Sequence, residues 1–81
     1  MSQTFRTTLE VQAVYETTDP QLIRLLDRFW MWNKDATIEV DKVSPEKWMA
    51  TVSGDGWAVS GEFAKSETKA IRKAVQAALR R

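Results

Sequence analysis

Residues 48–63 read WMATVSGDGWAVSGEF, and this stretch decides the fold. Apolar and polar residues alternate on both sides of Gly54-Asp55-Gly56, and an alternation of period two is typical of half-buried strands. The glycines supply the positive φ angles that a tight hairpin turn requires. The stretch therefore predicts two antiparallel strands running to Phe63, with Trp48 and Trp57 as core partners across the hairpin.

The same alternation occurs twice before the hairpin. Ile38 and Val40 alternate with polar neighbours, which predicts a third strand, and Ser44-Pro45-Glu46 forms the turn that connects it to the hairpin. Residues 5–15 also place apolar and polar side chains on opposite parities. This pattern predicts an N-terminal strand with Leu9 among its inward residues.

Two helices complete the predicted elements. Asp19 and Pro20 are a typical N-cap and first helical residue, and the apolar spacing that follows continues to Asn33. Ser66 is the predicted N-cap of the last helix. Its buried stripe is predicted to contain Ile71, Ala74, Val75, Ala78 and Leu79.

The predicted order is β-α-β-β-β-α in a single domain spanning residues 1–81. Each strand has one apolar side and each helix one apolar stripe, so the sheet has one dry face that the helices cover. This predicts an α+β two-layer sandwich with a mostly antiparallel sheet and two helices on one face. The docking position of the first strand stays open. The other sheet face would be polar and acidic, with Glu10, Gln12, Glu39, Asp41, Thr51, Ser60 and Glu62.

The chain contains no cysteine and no histidine. The first absence removes disulfides and thiolate chemistry and favours a cytoplasmic protein. The second removes the usual zinc ligand and the commonest general base. No run approaches the roughly 20 apolar residues of a membrane span. We therefore expect a cytoplasmic, non-enzymatic protein with no cofactor, no metal and no membrane partner.

Positive charge is concentrated at the C-terminal end. Half of the 12 Lys and Arg residues lie in residues 64–81, where the one acidic residue is Glu67. On a helix most of them share a face, which is either a solvated surface or a stripe of phosphate contacts. The candidate nucleic-acid-binding residues are Lys65, Lys69, Arg72, Lys73, Arg80 and Arg81.

A family resemblance covers the same region. Residues 48–79, WMATVSGDGWAVSGEFAKSETKAIRKAVQAAL, resemble the C-terminal half of the double-stranded-RNA-binding domain, with a hairpin, a serine and an alanine-rich helix. The spacing of Ser66, Ala70, Ala74 and Ala78 fits that family's helix. Lysines that grip phosphates directly follow the serine in the family, and this chain has Glu67-Thr68 there. The resemblance implies the fold and, as an alternative function, nucleic-acid binding.

The chain is also similar, in size and style, to small proteins of bacteriophages and mobile elements. These often join a short strand-rich domain to a helix of the form A-x-R-x-A-x-x-A-A. Anti-CRISPR inhibitors are among them, and they block host defence enzymes by stoichiometric binding. This likeness implies an inhibitor acting in the host cytoplasm, and it assigns a role to no residue.

The run FWMWNK, residues 29–34, ends the first predicted helix. The available core runs out there, so we expect Met31 or Trp32 to be exposed, and both residue types are enriched at protein interfaces. The predicted partner-binding residues surround this helix end or lie on the acidic sheet face: Arg28, Met31, Trp32, Lys34, Glu39 and Asp41. A protein partner is the first expectation, a nucleic acid is the alternative, and a homodimer through this side stays open.

Overall fold

The computed structural model describes residues 2–81 and places three helices and four strands in them. The elements are β1 Ser2–Phe5, α1 Thr8–Tyr15, α2 Pro20–Trp32, β2 Thr37–Ser44, β3 Lys47–Gly54, β4 Trp57–Ser60 and α3 Glu67–Leu79. The strands form one antiparallel sheet in the order β1-β2-β3-β4. The predicted α+β sandwich is confirmed, and the first strand docks beside β2. None of the helices in residues 2–81 combines the length and apolar character needed to cross a membrane.

The predicted strand over residues 5–15 is wrong, because residues 8–15 form the helix α1. The Oγ1 atom of Thr7 accepts a hydrogen bond from the Glu10 N–H at 3.2 Å, and the Glu10 carboxylate accepts one from the Thr7 N–H at 3.0 Å. This capping box satisfies N–H groups that have no partner inside the helix. It favours a helix over the strand that the alternation suggested.

The extra helix changes which side chains are buried near the N-terminus. Leu9, predicted to face the core, is 76% exposed, whereas Val11 is fully buried. Glu10 and Gln12 lie on α1 and therefore do not belong to the predicted acidic sheet face. The order of elements is β-α-α-β-β-β-α.

The dry face of the sheet consists of paired apolar residues. Ile38 lies opposite Val52, Val40 lies opposite Ala50, and Phe5 of β1 lies opposite Ile38 on its other side. All five side chains are buried. The helices cover this face, and the buried apolar residues form one continuous cluster.

The last helix lies very close to the sheet because its inward side chains are small. Ala70, Ala74 and Ala78 are fully buried, together with Ile71 and Val75, as the sequence predicts. Leu79, also predicted, is only partly buried. The alanines let the backbone of α3 approach the chain that leaves β4.

The hairpin has the predicted turn but a shorter second strand. Asp55 and Gly56 form the turn, and Gly56 has the positive φ angle of 77° that favours glycine. β4 ends at Ser60, and Phe63 lies outside it and is 49% exposed. The prediction that the strand continues to Phe63 is therefore wrong.

The two hairpin tryptophans are not partners across the strands. Trp57 lies opposite Gly54, whereas Trp48 lies opposite Lys42 at the other end of β3. Both rings pack against the edge of the core and are partly buried. The alternation predicted their side of the sheet correctly but could not give the register that separates them.

Candidate interaction surfaces

The end of α2 presents two large apolar side chains to solvent. Met31 is 66% exposed and Trp32 is 77% exposed, which confirms the expectation that at least one of them lies on the surface. Arg28 is one helical turn before Trp32, and Lys34 follows it; both are exposed. We call these four residues the Trp32 surface.

Hydrogen bonds hold the backbone beneath the Trp32 surface in place. The backbone N–H and the side-chain Nδ2 of Asn33 both donate to the Phe29 carbonyl, at 3.1 and 2.9 Å. The buried indole Nε1 of Trp30 donates to the Ala36 carbonyl at 3.0 Å. The helix end and the loop after it are therefore tied to the core, and Trp32 is displayed on a fixed backbone.

A shallow groove of about 200 Å³ separates Trp32 from the β3–β4 hairpin. The guanidinium of Arg81 stacks on the Trp57 ring, 3.5 Å from its centroid, and donates to Asn33 Oδ1 at 3.3 Å. Arg81 thus belongs to this end of the molecule. Its guanidinium also donates to the Ala78 carbonyl at 2.8 Å, so it is engaged on several sides and is not a free member of the predicted basic stripe.

The acidic residues predicted for partner binding lie on a different surface. Glu39 and Asp41 project from β2 on the sheet face opposite the buried residues Ile38 and Val40. Glu39 lies between residues with hydroxyl side chains, opposite Thr4 and Thr51. The structure therefore divides the six predicted partner-binding residues between two surfaces, one on each layer of the sandwich.

Metal binding has no support from the arrangement of the acidic residues. Within residues 2–81 no three Asp or Glu side chains come together in a group able to hold a metal ion. Glu62, predicted on the acidic face, follows the end of β4 and lines a groove with Arg80 and Lys73. Only Glu39 and Asp41 remain as acidic residues on the strands of the open face.

The predicted basic stripe is also divided. Arg72 forms an ion pair with Asp19, with 2.6 Å between Nη2 and Oδ2. The pair joins α3 to the N-cap of α2, and its partial exposure makes its contribution to stability small. Because Arg72 and Arg81 are both engaged within the molecule, the six predicted residues do not form one free surface.

Three of the predicted lysines instead line a groove of about 670 Å³. Lys65, Lys69 and Lys73 are joined there by Lys47, the first residue of β3, which sequence reasoning missed. Phe63 forms part of the wall. We call these five residues the lysine groove. No local signal could have identified Lys47, because pairing between Trp48 and Ala64 is what brings β3 to this place.

The hydroxyl of Tyr15 lies beside Glu67 in a crevice of about 350 Å³. Burial raises the pKa of Tyr15 well above its usual value, and the Glu67 carboxylate raises that pKa further. The phenol therefore stays protonated across the physiological range. It can donate a hydrogen bond, and it is not suited to act as a base.

No family model matches the chain, and no curated protein and no solved structure matches it either. The resemblances to the double-stranded-RNA-binding domain and to phage inhibitors stay predictions.

Proposed function

We propose that this protein is a small non-enzymatic binding protein that acts by stoichiometric contact with a protein partner. The observation that carries the proposal is the joint exposure of Met31 and Trp32 on one helix end. Burying side chains of this size at an interface stabilises a complex by roughly 1.5–3 kcal/mol each. Tryptophan is also among the residues most enriched at interface hot spots.

The rigidity of the helix end supports the same proposal. A helix end whose backbone is already held in place loses less conformational entropy when a partner covers it. The double contact from Asn33 to the Phe29 carbonyl holds the backbone at this point. Exposed Arg28 and Lys34 flank the two apolar side chains, so the partner's pocket would have an apolar floor and an acidic rim.

The specific form of the proposal is a phage-type inhibitor of a host defence enzyme or nucleic-acid enzyme. The size and style of the chain support this form. Glu39 and Asp41 would supply a second contact, because their carboxylates can present phosphate-like charge to a basic groove in the partner. The place of action would be the host cytoplasm, since a chain without cysteine needs no oxidising compartment.

Site-specific photo-crosslinking in cells tests the Trp32 surface. A crosslinking residue at position 32 should capture one protein, and the same residue at position 43 should not. Val43 is also exposed, but it lies at the end of β2 that pairs with the start of β3, whereas Trp32 lies beside Gly54 at the end of β3. The captured protein is then identified, and its affinity is measured by calorimetry. Trp32→Ala should weaken binding by roughly 30-fold, the equivalent of a hot spot of about 2 kcal/mol.

The controls distinguish this proposal from a homodimer and from the absence of any role for the Trp32 surface. Val43→Ala should leave the affinity for the captured protein unchanged. Capture of a second copy of the chain at position 32 would replace the proposal with a homodimer. Unchanged affinity of the Trp32→Ala variant for the captured protein would contradict a role for this surface.

A further inference from the structure

The lysine groove and the Trp32 surface lie at opposite ends of one strand. Lys47 begins β3, and Gly54, beside Trp32 in the shallow groove, ends it. At about 3.3 Å per residue the two ends are separated by roughly 23 Å. The lysine groove is therefore a second surface, and its role is independent of the proposed protein contact.

Four lysines from three segments line the groove. Lys47 comes from β3, Lys65 from the loop before α3, and Lys69 and Lys73 from two successive turns of α3. Within residues 2–81 none of the four forms an ion pair, and Glu46 is the one carboxylate among the groove's lining residues. Like charges around a concave surface reinforce one another's potential, so the groove attracts anions.

Phe63 gives the groove an aromatic wall. Its ring is 49% exposed, and the Lys47 Nζ lies 5.2 Å from the ring centroid. The backbone at and after Phe63 is held by hydrogen bonds: the Phe63 carbonyl accepts one from Lys73 Nζ at 3.2 Å, and Ala64 pairs with Trp48 at 2.8 and 2.9 Å. The ring is therefore held at the groove.

We infer that the lysine groove binds a short single-stranded segment of nucleic acid. A half-exposed aromatic ring among lysines is the combination that single-strand-binding sites use, with phosphates on the ammonium groups and a base stacked on the ring.

Two features favour a single strand over a duplex. Phe63 can stack only on a base that is not already stacked in a helix. In addition, the first turn of α3 carries Glu67, whose negative charge opposes a phosphate at the positive end of the helix. The contacts to phosphate come instead from Lys47, Lys65 and Lys69 on the rim.

Fluorescence anisotropy with a labelled short oligothymidylate, at several salt concentrations, tests the inference. Three phosphate contacts predict a slope of about −2 for the logarithm of the binding constant against the logarithm of salt concentration. Lys65→Gln with Lys69→Gln should reduce the slope by about 1.4 and weaken binding. Phe63→Leu should weaken binding on the order of tenfold and leave the slope unchanged.

Matched controls make the result decisive. Arg6→Gln with Arg24→Gln removes the same charge from two exposed positions outside both proposed surfaces and should leave oligothymidylate binding nearly unchanged. Phe63→Trp should retain binding, which shows that the aromatic ring and not the local fold is responsible. Circular dichroism confirms that each variant is folded. Trp32→Ala should bind the oligonucleotide normally, so this inference and the proposed protein contact can fail separately.

Several outcomes would overturn the inference. Absence of binding at low salt would do so, as would an equal loss from the Arg6 and Arg24 control pair. If a duplex or heparin bound as tightly as the single strand and Phe63→Leu had no effect, the groove would be a site for polyanions in general, and the assignment to single strands would be wrong.

Discussion

At the scale of single residues, Gly61 decides how closely α3 can approach the sheet. A Cβ atom at this position would lie 2.7 Å from the Ala74 backbone nitrogen and 2.8 Å from its Cα. These are backbone atoms of a buried helix, so they cannot move aside as a flexible side chain would. The Gly61 N–H also donates to the Ala50 carbonyl at 3.0 Å, which holds the chain in this position.

Gly61→Ala should therefore destabilise the protein by about 1–3 kcal/mol, the usual cost of overpacking. Urea denaturation monitored by tryptophan fluorescence measures the change in unfolding free energy. Glu62→Ala, a neighbouring exposed position, serves as the control and should change that free energy by less than about 0.5 kcal/mol. Equal stability of the two variants would mean that the helix does not approach Gly61 so closely.

Tyr15 makes stability depend on pH at the alkaline end. Its pKa is raised in the folded protein by burial and by Glu67, so the folded state keeps the phenolic proton when the unfolded state has lost it. The stabilisation is fully present below the unfolded pKa of about 10 and decreases as the pH rises above it.

We expect the thermal midpoint of the wild-type protein to fall more steeply above about pH 10 than that of Tyr15→Phe. Lysines titrate in the same range, and the comparison of the two variants cancels their contribution. The chain has one tyrosine, so its ultraviolet titration reports this group alone. A titration midpoint at the ordinary tyrosine value would contradict the burial of the hydroxyl.

At the scale of elements, α1 illustrates how a capping signal competes with an alternating pattern. The residues Thr7 and Glu10 have the spacing of a capping box, and this signal is present in the sequence. The alternation in residues 5–15 outweighed it in the sequence prediction. Inside α1 the buried positions Thr8 and Val11 are three residues apart, which is a helical spacing.

Substitutions at two neighbouring apolar positions distinguish the helix from the predicted strand. Leu9→Lys should change the unfolding free energy by less than about 0.5 kcal/mol, because Leu9 is exposed on α1. Val11→Lys should unfold the protein or destabilise it severely, since it buries an unpaired charge. In a strand both side chains would face the core, and the two variants would be equally damaging. Thermal denaturation monitored by circular dichroism measures the stability of the two variants.

At the scale of the whole molecule, the sandwich separates two kinds of surface. The Trp32 surface combines two apolar side chains with two basic ones and lies at one end of β3. The lysine groove lies at the other end. The open sheet face between the edges carries Glu39 and Asp41 with many hydroxyl side chains. A protein of this architecture could hold two different ligands at once, because neither proposed site shares a residue with the other.

Much of the fold follows from local signals in the sequence. The Asp19-Pro20 start of α2, the Ser66 cap of α3 and the Asp55-Gly56 turn are all placed as predicted, because each depends on residues within one turn of chain. The inward side of β2 and β3 also follows from alternation alone. The exposure of Trp32 was predictable as well, since it lies where the apolar face of a helix exceeds the core.

The tertiary structure alone decided which charged residues are free and which act together. Asp19 and Arg72 are 53 residues apart in the chain, and Asn33 and Arg81 are 48 apart. Lys47 joins the lysines of α3 only because β3 pairs with the chain before that helix. Periodicity and capping describe neighbours along the chain, whereas these contacts depend on how closely α3 packs on the sheet. The sequence by itself determined the helix caps, the hairpin and the apolar faces, and the packing of the layers determined the candidate sites.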